Sequence, residues 1–90
     1  MIFVHSDQLI AMLFLSIQTN IVGTFNVCRL ACKYLGMNDD KDGERGQIIN
    51  VSSAAATEGQ TGHVTLSAVS GAINSMTLPM ARDLAPQSEF

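Results

Sequence analysis

Two stretches of the chain have the hydrophobic periodicity of an α-helix. The first runs from Leu9 to Leu35 without a proline, and small or apolar residues recur along its second half every three or four positions. These residues share one face: Asn20, Gly23, Thr24, Val27, Cys28, Ala31 and Leu35. Because small side chains let another backbone approach closely, this helix is expected to pack on a sheet or a second helix. Gly36 is expected to end it.

The second helical pattern begins at about Thr65 and continues to about Leu84. Its stripe of mostly apolar residues is expected to be buried: Leu66, Val69, Ser70, Ile73, Met76, Thr77, Met80 and Leu84. Pro79 lies inside the pattern and is expected to kink the helix or remove one hydrogen bond. Pro86 is expected to close it.

Between the two helices lies a short run rich in β-branched residues, Gln47–Ser52, with the sequence QIINVS. A charged loop (37–46) precedes it and a loop of small side chains (53–63) follows. Such a run predicts a strand covered on both faces. Helix, buried strand and helix indicate an α/β fold with a parallel sheet. A single strand leaves its ladder groups without partners, so the sequence predicts a fragment of a doubly wound domain and not a complete one.

Charge and composition exclude several classes of function. Five Lys and Arg against eight Asp and Glu give a net charge of −3, which argues against a nucleic-acid partner. No uninterrupted apolar run reaches the roughly 18 residues of a membrane span, so no membrane association is predicted. The N-terminal residues hold no Lys or Arg and no small-x-small cleavage site follows, so secretion is not expected.

The sequence predicts neither a disulfide nor a metal site. Cys28 and Cys32 lie four residues apart on one helix face, a spacing that disfavours a disulfide. They are expected to be buried free thiols in a reducing compartment. Part of the charged loop resembles a calcium loop, but Ile49 stands where a bidentate Glu is required, so no metal site is predicted.

Three segments resemble the short-chain dehydrogenase/reductase family: NIVGTFNV (20–27), GQIINVSS (46–53) and MTLPMARDLAP (76–86). The resemblance covers residues 19–86, leaving 1–18 unassigned and 87–90 as a tail. It implies a Rossmann-like doubly wound parallel sheet and NAD-dependent oxidation of an alcohol or reduction of a carbonyl. It further implies 3-hydroxyacyl-CoA or hydroxysteroid substrates and a mitochondrial location.

In the resembling family a Tyr is the acid/base, a Lys four residues later lowers its pKa, a Ser binds the substrate oxygen and an Asn supports a proton relay. Asn20 and Ser53 match the family Asn and Ser, whereas Leu66 occupies the Tyr position and Ser70 the Lys position. The chain also contains no G-x-G-x-x-G segment for the dinucleotide. The resemblance therefore implies a chain that retains catalytic remnants but is inactive alone and does not bind NAD.

Two further hypotheses follow from the resemblance. In the family the two retained helices form the principal subunit interface, so the helices Asn20 to Leu35 and Leu66 to Leu84 could bind an intact homologue as a non-catalytic partner. Against this, the same apolar stripe would be explained by packing on a sheet. An active dehydrogenase requires that the chain be part of a longer protein, and even then Leu66 and Ser70 argue against normal turnover.

Overall fold

The computed structural model of this protein describes residues 9–39 and 45–88, with the side chains described up to residue 85. Helical elements account for most of these residues. In chain order they are α1 (Leu9–Ser16), a π-helical segment (Ile17–Val22), α2 (Gly23–Leu35), a 3₁₀ turn (Ala54–Ala56) and α3 (Val64–Ser88).

The first three elements form one uninterrupted helical stretch, which confirms the helix predicted from Leu9 to Leu35. It ends at Gly36, as predicted. Gly36 itself has helical angles (φ −63°, ψ −17°) and its N–H still donates to the Cys32 carbonyl, so the end is not a left-handed glycine cap. The π-helical segment was not predicted. There the Gly23 N–H donates to the carbonyl of Gln18, five residues earlier, and this longer reach widens the helix locally.

The second helix is longer than predicted. α3 starts at Val64 and continues to Ser88, so the prediction that Pro86 closes it is wrong. A proline inside a helix removes one backbone donor, and Pro79 thereby leaves the Ser75 carbonyl without an intrahelical partner. Ser75 is exposed, so water can hydrogen-bond to that carbonyl. Pro86 also lies inside the helix, where it removes the backbone donor for the Arg82 carbonyl.

The predicted strand over Gln47–Ser52 is not formed in the described part of the chain. Burial nevertheless alternates along it with the period of a strand. Ile48 and Asn50 are half-buried, whereas Gln47, Ile49 and Val51 are exposed. A strand is completed by ladder hydrogen bonds to a neighbour, and residues 9–39 and 45–88 contain no second strand. This structure therefore does not confirm the doubly wound sheet.

The core is small and lies where the helices and the intervening loop meet. α1 and the π-helical segment pack against α3, and so does the 3₁₀ turn. Among the described residues the buried side chains are Cys28, Val69, Ser70 and Ile73. The radius of gyration is 16.4 Å, against about 12 Å for a compact domain of this length. The chain is thus more extended than an independent globular unit.

Several residues of the predicted apolar faces are less buried than expected. Leu66 and Val27 are exposed, whereas Cys28, Val69 and Ile73 are buried as predicted. The fully buried residues of α3 lie in its N-terminal half, whereas Met76, Met80 and Leu84 farther along the helix are half-buried. Both periodicities therefore predicted the helices correctly. The helix faces that they marked as buried are covered over a smaller area than expected.

Within the described ranges, one helical stretch, Leu9–Leu35, is long and apolar enough to cross a membrane by length and composition. None of the residues in its most apolar window is buried in this structure. A single helix of this kind is weak evidence, because core helices of water-soluble proteins and signal sequences meet the same two criteria. The prediction of no membrane association was made on a different criterion, an uninterrupted apolar run. It remains a prediction.

Candidate functional site

A cleft of about 410 Å³ lies between the first helix, the loop before the 3₁₀ turn and the start of α3. All four positions singled out from the sequence line this cleft: Asn20, Ser53, Leu66 and Ser70. The remaining lining residues are Met12, Ser16, Val51, Ser52, Gly62, Thr65, Val69 and Ile73. Residues from three separate stretches of sequence are thus brought to one place.

Ser53 is positioned by the 3₁₀ turn that it begins. Its backbone is extended, with φ −136° and ψ 151°, and its Oγ accepts a hydrogen bond from the Ala55 N–H at 3.1 Å. The Ala56 N–H in turn donates to the Ser53 carbonyl. Because Oγ serves as an acceptor here, the hydroxyl proton is left to donate to a ligand oxygen in the cleft.

Asn20 reaches the cleft from the π-helical segment. Its Nδ2 donates to the Ser16 carbonyl at 3.1 Å, a side-chain bond that ties the amide to the preceding turn. Its Oδ1 makes no hydrogen bond within the described residues and is available as an acceptor. π-helical turns inside α-helices are frequent at functional sites. The local widening at Asn20 therefore fits a positioned polar group and not an arbitrary surface amide.

Ser70 and Leu66 form the α3 side of the cleft. Ser70 is only 3% exposed, and its carbonyl accepts a hydrogen bond from the Ser52 Oγ at 3.0 Å. Leu66 lies one helical turn earlier and is 44% exposed. The contact from Ser52 fixes the loop against the helix, and Leu66 contributes an apolar surface at the position where the resemblance predicts the family Tyr.

The lining of this cleft contains no ionisable side chain. General acid/base catalysis needs a group that exchanges a proton near neutral pH, and the hydroxyls and the amide here do not. Thr65 lines the cleft, but Ser67 does not; its Oγ is buried without a partner in the described structure. Tyr34 and His63 are absent from the lining as well, so neither offers an alternative acid or base there.

The lining residues that the sequence did not single out are mostly small or apolar: Met12, Ser16, Val51, Ser52 and Gly62. Ser16 and Met12 precede Asn20 by about one and two helical turns, so helical periodicity from Asn20 would have indicated them. Gly62 has a φ of 84° and turns the loop toward α3. No sequence signal identifies its place beside the cleft.

Both cysteines are free thiols, as predicted; Cys28 is buried and Cys32 half-buried. The Cys28 Sγ lies 3.6 Å from the Asn50 Oδ1 and donates to it, which joins α2 to the loop. Burial raises the pKa of the Cys32 thiol, and the neighbouring Cys28 raises it further. A raised pKa disfavours the thiolate, so Cys32 is not an activated nucleophile.

Among the described residues no three His, Cys, Asp or Glu side chains lie close enough together to hold a metal ion. Of the calcium-like pattern, Asp40, Asp42 and Gly43 lie outside the described residues. The prediction of no metal site accordingly stays a prediction for that loop.

Comparison with known proteins bears directly on this cleft. A family model described as short chain dehydrogenase matches residues 6–88, which include all four positions. The chain belongs to the short chain dehydrogenase family. The resemblance identified from its three motifs is thereby confirmed. The match also begins within the N-terminal segment for which the sequence offered no assignment.

Curated relatives share up to about half of the aligned residues. The chain is 55% identical over 71 residues to 3-hydroxyacyl-CoA dehydrogenase type-2 of Mus musculus, covering 78% of this chain and 27% of that protein. It is 50% identical over 72 residues to the Drosophila melanogaster protein of the same name, covering 79% and 28%. L-fucose dehydrogenase of Oryctolagus cuniculus is 33% identical over 67 residues, covering 74% and 22%. The chain thus spans about a quarter of the length of these relatives.

The family is generally NAD(P)-dependent. The fit of such a cofactor to this cleft depends on the position where the family Lys holds the nicotinamide ribose. The resemblance predicts that Ser70 occupies that position, and because Ser70 is buried and uncharged it supplies no ammonium group. The residues present in the described cleft do not fit that role. It remains a prediction that this chain does not bind NAD, that it is mitochondrial and that Asn20 and Ser53 are remnants of the family's catalytic residues.

Proposed function

We propose that this chain has the site of a short-chain dehydrogenase related to enzymes of 3-hydroxyacyl-CoA or hydroxysteroid substrates, but does not transfer hydride by itself. The observation that carries the proposal is the composition of the cleft. It gathers Asn20, Ser53, Leu66 and Ser70 from three parts of the chain, and its lining is uncharged. A ligand oxygen can be hydrogen-bonded there, but no lining group can take up or release its proton.

Leucine at position 66 and serine at position 70 would each remove a different contribution to the rate of hydride transfer. A leucine at position 66 has no exchangeable proton, and the loss of a positioned acid or base costs about 10²–10⁴-fold in rate. A serine at position 70 cannot lower the pKa of a neighbouring hydroxyl by charge.

The direct test is NADH formation by the purified chain with NAD and a 3-hydroxyacyl-CoA. We expect no turnover above that of the heat-denatured chain. Measurable, saturable turnover that is lost on heating would overturn the proposal.

A graft separates missing catalytic groups from failure to fold. In an intact 3-hydroxyacyl-CoA dehydrogenase type-2, the segment corresponding to Thr65–Gly71 is replaced by the sequence of this chain. We expect kcat to fall by at least about 10²-fold with the fold retained. The matched control graft keeps the host Tyr and Lys and changes only the other residues of the segment; it should retain most of the activity. Full activity of the first graft would show that Leu66 and Ser70 do not carry the loss.

A second candidate function, a non-catalytic partner of an intact homologue, is favoured by one observation. The two helices predicted to form the interface expose large apolar side chains instead of covering them. On the helix Asn20 to Leu35 these are Val22, Phe25, Val27, Leu30 and Tyr34; on the helix Leu66 to Leu84 they are Leu66 and Leu78. Exposed apolar surface on two helices is typical of association sites.

This second candidate is tested by co-expressing the tagged chain with an intact 3-hydroxyacyl-CoA dehydrogenase type-2. Co-purification and co-sedimentation as one species are expected if the helices form the interface. Phe25→Asp should weaken the complex, while Ser75→Asp, at an exposed polar position of α3, serves as the matched control. Absence of any complex with the soluble chain would exclude this function.

A further inference from the structure

We propose that Cys28 and Cys32 together form a binding site for a soft monovalent metal ion, Cu(I), which the two sulfurs hold as thiolates on one face of α2. The site is separate from the cleft, and nothing in the proposed function depends on it. Its geometry is set within a single helix, so it does not depend on which residues surround α2 in a longer protein.

The first observation is the spacing of the two thiols. Cys28 and Cys32 lie four residues apart within α2, and both are free. Side chains at this spacing are neighbours on one helix face, with Cβ atoms about 5–6 Å apart. A disulfide needs Cβ atoms about 3.5–4.5 Å apart, so this pair is too wide to form one within the helix. An ion inserted between the two sulfurs supplies the missing length.

The second observation is that the two thiols act on each other. Burial raises the pKa of the Cys32 thiol, and the neighbouring Cys28 raises it further, so the two sulfurs lie within electrostatic range. Two adjacent thiolates without a counterion are therefore unfavourable. A cation bound between them removes that cost, because it attracts both negative charges and replaces both protons.

The third observation identifies the ion. Among the described residues no three His, Cys, Asp or Glu side chains are grouped to hold a metal, so the two thiols gain no third ligand of these types there. Structural zinc sites take four ligands, and calcium and magnesium prefer oxygen. Soft thiolate ligands select Cu(I), an ion that two sulfurs can satisfy in a near-linear arrangement. The ligand set therefore fits Cu(I) and not Zn²⁺.

Asn50 lies beside the site and suits both of its states. In the metal-free chain the Cys28 Sγ lies 3.6 Å from the Asn50 Oδ1 and donates to it. When Cys28 loses its proton, the sulfur needs a donor instead of an acceptor. An asparagine amide carries both, so a half-turn of this group directs its Nδ2–H at the thiolate. The contact that joins α2 to the loop can thus be kept when the ion is bound.

Binding exchanges two protons for one ion. Two S–H bonds break, two Cu–S bonds form and both protons pass to the solvent, and no electron is transferred. Cys32 is half-buried and offers the first sulfur, and the buried Cys28 completes the pair. The reducing compartment expected from the free cysteines keeps both the thiols and Cu(I) in the required state.

The experiment titrates Cu(I) into the complete 90-residue chain in the absence of oxygen. A phosphine serves as the reductant, because an added thiol would compete for the ion. We expect one Cu(I) per chain, seen as sulfur-to-copper charge-transfer absorption and measured by competition with a chromogenic Cu(I) chelator. Binding should also raise the unfolding midpoint, since the folded helix holds the two sulfurs together and the unfolded chain does not.

Substitutions at the two cysteines test the ligands. Loss of an outer-shell partner alone costs about 10–100-fold in metal affinity, so Cys28→Ser and Cys32→Ser should each weaken binding by at least about 100-fold. A double variant tests the spacing. Cys32→Ser combined with Leu30→Cys keeps two thiols but separates them by two residues, which places them on different helix faces. We expect it to bind as weakly as Cys32→Ser alone.

Val27→Ser is the matched control, because it introduces the same serine at an exposed position of α2 and keeps both thiols. We expect its affinity for Cu(I) to equal that of the parent chain. A parent chain that takes up no Cu(I) would overturn the proposal. So would one ion shared between two chains, or parent-like binding by the double variant, because either result would show that the two thiols of one helix face do not form the site.

Discussion

Two neighbouring parts of the same loop satisfy their backbone groups in different ways. Residues 53–58 close on themselves: Ser53 caps the 3₁₀ turn, and the amides of Ala56, Thr57 and Glu58 donate to carbonyls within it. Residues 47–52 make no such bonds among the described residues, although their side chains alternate like those of a strand. A turn carries its own partners, whereas a strand depends on a second strand.

The difference extends to packing. The 3₁₀ turn lies against α3, where Val69 and Ile73 are buried. The strand-like segment faces an open groove along the C-terminal half of the same helix. We refer to these as the closed region (residues 53–58 with the start of α3) and the open region (residues 46–52 with the groove). The candidate site lies on the closed side, where side-chain positions are fixed by local contacts.

The largest expected effect comes from removing the apolar side chain on which the closed region packs. Ile73→Ala should lower the free energy of unfolding by about 2 kcal/mol, because an isoleucine that is nearly fully buried is replaced by a smaller residue. Urea unfolding followed by circular dichroism measures the change. Leu78→Ala, at an exposed position of the same helix, is the control and should change stability by less than about 0.5 kcal/mol.

The turn that leads from the loop into α3 is the next most sensitive point. Gly62 has a φ of 84°, and Gly62→Ala should cost roughly 1–2 kcal/mol because an L-residue is strained in that conformation. Gly59→Ala is the matched control: its added Cβ would meet no atom within 4 Å, and its φ is not positive. Equal effects of the two substitutions on the unfolding midpoint would contradict the assigned role of Gly62.

Substitutions at and just before the cap of the 3₁₀ turn should differ clearly in their effect on stability. Ser53→Ala removes the hydrogen bond to the Ala55 N–H and should cost about 1 kcal/mol. Val51→Ala, two residues earlier in the open region, should leave the free energy of unfolding nearly unchanged because Val51 is almost fully exposed. A larger loss of stability in Val51→Ala than in Ser53→Ala would contradict the assignment of the closed region as the more tightly held of the two.

The smallest expected effect is a pH dependence that arises at Cys32. Burial raises the pKa of this thiol above its ordinary value of 9.0, so the unfolded chain ionises at a lower pH than the folded chain. This contribution to stability is complete below the unfolded pKa and is lost as the pH rises through the folded pKa. Denaturant unfolding at several pH values from 8 upwards, under reducing conditions, should show a steeper decline for the parent chain than for Cys32→Ser. Identical slopes would contradict the assignment.

Much of the local structure could be predicted because its causes are local. The periodicity from Leu9 to Leu35 and the stop at Gly36 both follow from backbone and side-chain preferences within a few residues. The extent of α3 beyond Pro86 was not predicted, because a proline removes a backbone donor and is expected to end a helix. The π-helical turn at Asn20 likewise left no pattern to detect.

The site was predicted residue by residue, but its assembly was not. The motifs named Asn20, Ser53, Leu66 and Ser70, and the family match contains all of them. That they line one cleft depends on the crossing of the first helix over α3 and on the hydrogen bond from Ser52 to Ser70. Those are contacts between residues far apart in sequence, and periodicity carries no information about them.

The sequence by itself determined the family and the two helices, because each depends on residues that lie close together in the chain. That Leu66 and Ser70 stand at the family Tyr and Lys positions remains a prediction from the resemblance. Only the tertiary structure decided that residues 47–52 lack ladder partners within the described chain, and that the cleft contains hydroxyls and an amide without a charge. The physical reason is that a helix satisfies its hydrogen bonds within itself, whereas a strand and a binding cleft are each completed by residues from elsewhere in the chain or from another chain.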